Sequence, residues 1–477
     1  MSAPAPRHDA PHVAVIAGYM PFFDEIMPPE HPDERAAAGR AGAAAVGDAG
    51  RITDLGLMTS EADGVAAGRR LAELRPDAVL LLPTMATPAA FFWSAIRDHP
   101  DLPVVIWAAH ETEHVGPDYD MVALCRHSQN VGALQTGNML ARDGRAFAVV
   151  AGPRDDPATV AEVVAALRVA ALVGRLRRGR LGRLGAPLEG YLNVDVDPQA
   201  LRAATGMEVV EIPLPEWSAA LDAVPETGVA DTLAETAAAA GAPLRGPAGA
   251  LAVAARHAAA LQALCARHGL VGGALNCRGP FGVAHPRHAA LGCLAVTRAC
   301  AAGTPFACTG DIITAVAMVI GRALGGAALY CELDAIDTGR DAFLVSNTGE
   351  GDFGWGPAEV FASDADSGRR APGASVRQQL RPGPATLIGF TPAAGARGGF
   401  RLIAMQGTVE EPPDVALTVT SAWFRADLAP MRRAFSAWAE AGATHHGALC
   451  PGHLAGQVAL LARYMGIGAM EIGGDTA

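Results

Sequence analysis

Four uninterrupted apolar runs in the first third of the chain leave little choice of fold there. They read Val13-Ala14-Val15-Ile16-Ala17, Ala78-Val79-Leu80-Leu81-Leu82, Pro103-Val104-Val105-Ile106-Trp107 and Phe147-Ala148-Val149-Val150-Ala151. A strand with one wet face alternates apolar and polar residues, whereas a strand that is apolar throughout is covered on both faces. Separated by helical stretches, such strands form a parallel sheet clothed by helices, a doubly wound α/β domain. Ligands of these sheets sit outside the carboxyl ends of the strands. Here those ends carry Gly18-Tyr19-Met20, Thr84-Met85 and Ala109-His110-Glu111. No glycine-rich dinucleotide fingerprint follows the first run, which disfavours NAD or FAD.

The rest of the chain divides around its breaks. An arginine-rich stretch, Arg175 to Pro187, reads as a domain crossing, and its basic cluster reads as a solvated helix end and linker. A second α/β unit begins at Tyr191, with a strand at Met207 to Ile212 and alanine-rich helices from Ser218 to about Cys265. Ala362 to Pro384 is rich in Ser, Gly, Pro and Arg and reads as a long loop or boundary. Short strands at Thr386 to Phe390 and Arg401 to Met405 then announce a β-rich end, finished by helices from about Pro430 and Leu454. The expected architecture is multi-domain α/β. Two doubly wound (Rossmann-like) domains, 1–175 and 188–361, precede a small β-rich C-terminal domain, 385–477.

Composition narrows the chemistry. The chain has no lysine; all 37 basic side chains are arginine. A Schiff base to substrate or pyridoxal phosphate is excluded, as is a P-loop lysine. A net charge of −12 argues against nucleic-acid binding. No apolar stretch reaches the ~18–20 uninterrupted residues of a membrane helix. Met1 to His12 lacks the layout of a signal peptide, so the expectation is a cytoplasmic protein with its eight cysteines reduced. None of these cysteines form a Cys-x-x-Cys pair, and Cys450 has no partnering motif that would make it a nucleophile.

Against this background one series of residues carries chemistry. It runs Cys308-Thr309-Gly310-Asp311, then Cys331-Glu332-Leu333-Asp334, then Ser346-Asn347-Thr348-Gly349-Glu350, and closes on His445-His446. A hard divalent cation needs oxygen and imidazole ligands converging from separate segments. Asp311 opens an apolar helical pattern and reads as its N-cap. Glu332 follows a short apolar run, Ala327 to Tyr330, and is expected at the strand end. Asp311 and Glu332 can share a metal or shuttle a proton between neighbouring carbons. Asn347 is a weak oxygen ligand or a turn residue. Adjacent histidines on a loop tend to point opposite ways, so one of His445 and His446 is expected to face a cleft.

With these segments laid out, the chain resembles the L-fucose isomerase and L-arabinose isomerase family over nearly its whole length. The ordered segments Cys308 to Asp311, Glu332, Asn347 to Gly349 and Ala441 to His446 carry the resemblance, with Gly190-Tyr191-Leu192-Asn193-Val194-Asp195 in the middle. It implies aldose–ketose isomerisation through an ene-diol, at Mn²⁺ or a similar cation, on a pentose or 6-deoxyhexose-like sugar. Glu332 matches an acid and metal ligand of the family, and His446 the terminal metal ligand, with His445 beside it. Thr309 stands where the first acid belongs, and Asn347 where a histidine often is. A threonine can neither serve as a carboxylate base nor ligate well. Asp311 lies two positions on, which on a helix turns a side chain by about 200°. Thr309, Asn347 and His445 thus pass to the substrate side of the reading. The resemblance also implies a homo-oligomer (trimer, tetramer or hexamer) whose sites a neighbour's N-terminal domain completes, with Gln129 of Ser128-Gln129-Asn130 as a substrate contact. Three functions remain open: an isomerase with a degenerate metal site, a metal-independent enzyme on a modified or non-sugar substrate, and a non-catalytic sugar-binding protein.

Overall fold

The computed structural model describes residues 10–111, 114–364 and 371–474. The chain divides into two compact units, one that runs to Arg177 and takes in Arg463–Gly466, the other holding the remainder from Arg178.

The first unit is built on β1 (His12–Gly18), β2 (Arg51–Met58), β3 (Ala78–Pro83), β4 (Val104–Ala108) and β5 (Phe147–Ala151). All are parallel, in the order β2-β1-β3-β4-β5. Every residue of β1, β3 and β4 is buried, as continuous apolar runs demand, while the edge strand β5 alternates buried and open positions. The strand order reverses between β1 and β3. In an open parallel sheet that reversal lets the following loops diverge and leaves a crevice at the carboxyl ends.

The second unit has two layers of strands. The first is a parallel sheet of β6 (Arg180–Leu184), β7 (Glu208–Glu211), β8 (Gly272–Leu275) and β9 (Phe306–Ala307), ordered β7-β6-β8-β9. The second contains β10 (Leu329–Asp337) and β11 (Ala342–Ser346). Following a separate antiparallel pair, β12 (Ala358–Ser363) with β13 (Gly373–Gln378), come β14 (Gly383–Pro392), β15 (Phe400–Val409), β16 (Ser421–Ala426), β17 (His446–Pro451) and β18 (Gly468–Ile472). The order β14-β17-β10-β11-β16-β15 closes on itself because β15 also pairs with β14, and β18 adds in parallel to β15. The result is a six-stranded antiparallel barrel.

Side chains alternate across each strand, so one set fills the barrel and the other faces out. The inner set includes Leu329, Cys331, Phe343, Val345, Leu387, Met405, Phe424 and Leu449. Burying a side chain such as Phe343 or Phe424 is worth about 1.5–3 kcal/mol, which makes this the stabilising core of the unit. Tyr330, Glu332 and His446 belong to the outer set. Against that outer face, between barrel and parallel sheet, lies the helix Ile312–Gly325, which touches β14 and β17 on one side and β8 and β9 on the other. Asp311 caps its start, and Gly326 ends it in the left-handed region at φ 82°. Gly321 lets the helix seat: a Cβ there would fall 2.1 Å from Cys450 Sγ.

Several expectations change. β10 and β11 fall within the span 188–361 yet hydrogen-bond into the barrel, because their period-two apolar faces need barrel partners rather than the parallel sheet. The expected loop from Ala362 to Pro384 contains β13 and the start of β14; its part at 365–370 lies outside the described residues. Two helices, Pro157–Arg177 and Ala248–His268, do reach the length and mean hydropathy of a membrane span, where none was expected. In each, 56% of the most apolar window is buried inside the fold, as for a core helix.

Candidate metal centre on the barrel face

The register of the barrel assembles the site. β10 and β17 run antiparallel with Glu332 directly opposite His446, so both side chains leave the same face. Glu332 therefore lies inside β10 rather than at a strand end, and 35% of its side chain is exposed. His446 is buried, with Nε2 3.1 Å from Glu332 Oε1. Its Nδ1 faces Asp311 Oδ2 at 2.8 Å, across 135 residues of sequence.

Asp311 does two jobs from one position. Its Oδ1 accepts from Thr314 N at 2.8 Å, the capping bond expected of it, and Oδ2 accepts from Thr314 Oγ1 at 2.7 Å beside the imidazole. The rotation argument fails here because Asp311, as the N-cap, stands outside the helix with non-helical backbone at φ −76°, ψ 86°. Fully buried, Asp311 is aimed at the site rather than away from it.

His445 was expected to turn from its neighbour. Instead the two rings lie 3.7 Å apart, and His445 packs edge-on against Tyr191, with Asn193 Nδ2 2.9 Å from its Nδ1. One ligand atom each from Glu332, His445 and His446 falls within 4.8 Å of the others. One carboxylate and two imidazoles form a set that can hold a divalent transition-metal ion. The polar neighbours fit that role. Asp311 accepts the Nδ1–H of His446, the carboxylate–histidine arrangement that orients metal-bound imidazoles, and a cation at Nε2 would displace the proton that Nε2 shares with Glu332. Asn193 Nδ2 donates to His445 Nδ1 and so fixes the orientation of that ring.

The electrostatics divide: they favour a protonated His446, whose proton a cation must displace, and a neutral His445. Burial alone would depress His446, but hydrogen bonds to Asp311 and Glu332 outweigh it and raise its pKa. The hydrogen bond from His446 holds the Glu332 carboxyl below its ordinary range, against the opposing effect of burial. Burial, then the charge of His446, lowers His445 and keeps it neutral, as a ligand must be.

Thr309 and Asn347 contribute little to this cluster. Thr309 is buried at φ 53°, its hydroxyl 3.2 Å from Tyr330 OH. Asn347 spends its amide on Tyr330 O and on the backbone N–H of Thr348. Both are framework for Tyr330, whose hydroxyl lies 2.7 Å from His446 Nδ1. Gln129 lies in the first unit, almost wholly buried, with Nε2 donating to Thr84 O and Arg126 O, so its amine is consumed internally. Burial pushes the Cys450 thiol up, which removes it as a nucleophile.

The sequence reading singled out neither Tyr330 nor a role for Glu350. Tyr330 was legible in principle, two residues before Glu332 on one strand face. Glu350 is buried, neither oxygen makes a hydrogen bond of normal geometry, and burial raises its carboxyl. A second group, Asp222, His285 and His288, also lies within ligand range. There His285 Nδ1 accepts the backbone N–H groups of Arg287 and His288, so Nε2 carries the proton and points it at Asp222. Arg287 already neutralises that aspartate. Those residues form a closed hydrogen-bonded turn and fit a cation poorly.

The barrel-face cluster is thus a carboxylate–imidazole grouping with the spacing to hold a metal ion. Comparison with known proteins attaches no name to it: no protein-family model matches the chain, and no curated protein matches its sequence.

Proposed function

We propose that Glu332, His445 and His446 bind a divalent cation, Mn²⁺ or one like it, and serve proton transfer in a small hydroxy-carbonyl substrate, as in aldose–ketose isomerisation. The observation that carries this reading is three ligand atoms within 4.8 Å, one of their imidazoles being oriented by a buried carboxylate. A cation held there polarises a carbonyl or hydroxyl oxygen. The chain's own residues do the rest. Asp311 fixes the tautomer of His446. Glu332, held ionised and partly open to solvent, accepts a proton from a substrate carbon. Asp334, on the same strand, is raised by burial and bonded by Ser346, and supplies a second acid. The resemblance favours a pentose or 6-deoxyhexose-like sugar and a homo-oligomer.

One observation favours a second reading. Asp311, His446 and Glu332 already form a continuous hydrogen-bonded chain, a relay that needs no cation. That would suit a metal-independent enzyme on a modified or non-sugar substrate. Calorimetric titration with Mn²⁺, joined to NMR of pentoses and 6-deoxyhexoses in D₂O, separates the two. Saturable Mn²⁺ binding with metal-dependent deuterium uptake supports the first; uptake unaffected by a chelator supports the second. Binding of a sugar without uptake or product over hours would sink both and leave a binding protein.

A further inference from the structure

At the carboxyl ends of the first unit's strands is a crevice of about 810 Å³, within the size range of small-molecule sites. It is unrelated in residues to the barrel-face cluster. Three guanidiniums converge on it: Arg35, Arg126 and Arg154. Arg35 is nearly buried; it donates to Thr84 O and to Glu111 Oε2 at 2.9 Å. Arg154 grips the other oxygen of Glu111 at 2.7 Å, and Arg126 meets Glu34 at 3.2 Å. Glu111 is thus a carboxylate clamped between two arginines, the geometry with which proteins hold carboxylate and phosphate ligands.

The clamp is not saturated. A guanidinium has five N–H donors, and the single acid partner of Arg126 or Arg154 leaves donors over. Arg154 and Arg126 keep 25% and 31% of their side chains exposed. Around them the fold is short of partners. Among the described residues eleven buried side-chain N and O atoms make no hydrogen bond, and two of them, Nε of Arg35 and Nε of Arg126, belong to guanidiniums that line the crevice. Buried polar atoms are nearly always satisfied, so two unpaired guanidinium N–H groups in lining residues favour a polar guest. Both atoms are donors, which selects an acceptor-rich guest.

We propose that this crevice binds a small organic anion, a carboxylate or phosphate monoester, on Arg126 and Arg154, in competition with Glu111 for the arginine clamp. The ligand's anionic oxygens take the free N–H donors, and its uncharged remainder fills the crevice beside His110. This binding is independent of any cation at Glu332.

Calorimetry on the full chain tests it, with inorganic phosphate, ribose 5-phosphate, gluconate and uncharged ribose as probes. At least one anion should saturate at one site per chain, and ribose should not; which anion binds identifies the carboxylate or the phosphate source. Replacing both partly exposed arginines (R126Q with R154Q) should weaken that anion at least tenfold. Glu111→Gln removes the internal competitor and should tighten it severalfold, a gain that a damaged fold cannot produce. No saturable anion, or an affinity unmoved by R126Q/R154Q, overturns the proposal. So does an anion lost in H446N instead, since it would then occupy the barrel-face site.

Discussion

The two polar sites solve opposite problems. In the first unit Glu111 and Arg154 come from loops after β4 and β5 while Glu34, Arg35 and Arg126 come from helices, and these groups neutralise one another while leaving donors unused. On the barrel, the polar atoms come from the interior of β10, the first residue of β17 and a helix cap, and Asp311, His446 and Glu332 satisfy each other in a line. Loop-borne groups can exchange partners at small cost, whereas strand-borne groups are fixed by register. The first arrangement suits ligand exchange, the second holds an ion or a proton in one geometry.

This contrast can be broken from either side. The largest effect belongs to His446→Asn, which deletes the imidazole and strands a buried carboxylate. Cation affinity should fall more than about 100-fold, with about 3–5 kcal/mol lost from stability. Anion binding in the first unit should be unchanged; if both fail together in a protein that still melts cooperatively, the sites are not independent.

Acidity should separate two buried imidazoles of the second unit. His257 is depressed to about 4 by burial, with the His288 carbonyl on Nε2 opposing that shift. It folds neutral, so its contribution is complete above the unfolded value near 6.5 and is lost as pH falls toward 4. The loss amounts to about 3 kcal/mol at most. His446 is shifted the other way: its contribution is complete below its unfolded value and is lost as pH rises through the raised folded value. Denaturant melts across pH 4 to 9, for the wild type and H257Q, should show the acid loss shrinking in the variant alone. Cation affinity should rise over the range in which His446 gives up its proton.

Asp311→Asn keeps a good helix cap but removes the charge behind His446. We expect a 10–100-fold drop in cation affinity, with a smaller loss of stability than in His446→Asn because the amide keeps the cap and a polar partner for the imidazole. A melt that collapses instead would assign Asp311 to the fold rather than to the site. Smallest is Gly321→Ala, whose new methyl meets Cys450 Sγ. It should cost about 1–3 kcal/mol, partly recovered in the double variant with C450A.

The same contrast explains what the sequence disclosed. The runs at Val13 and Ala78 are apolar on both faces, and that local pattern is enough to announce a buried parallel strand. Glu332 and His446 stood out in the series of carboxylates and imidazoles, yet their meeting depends on which strand β10 chooses as neighbour. Nothing local to Leu329–Asp337 says that β17 lies beside it, so β10 was assigned to the wrong layer. Asp311 misled for a related reason. Its side chain was judged by helical rotation, but capping backbone obeys different geometry. His445 misled because Tyr191 and Asn193, distant in sequence, turn its ring toward its neighbour. The orphaned atoms of the crevice left no sequence signal, since a missing hydrogen bond is a property of packing.

The ring closure of the barrel has a consequence for the lifetime of the site. β10 and β17 each have a hydrogen-bonded neighbour on both sides. Neither can peel away alone, and a slip of one residue would send His446 into the apolar interior and Leu449 out. The separation of Glu332 and His446 is therefore not a continuous variable that loop motion could tune. It takes one value while the ring is intact, and any event that opens the ring erases the site and the core in the same step.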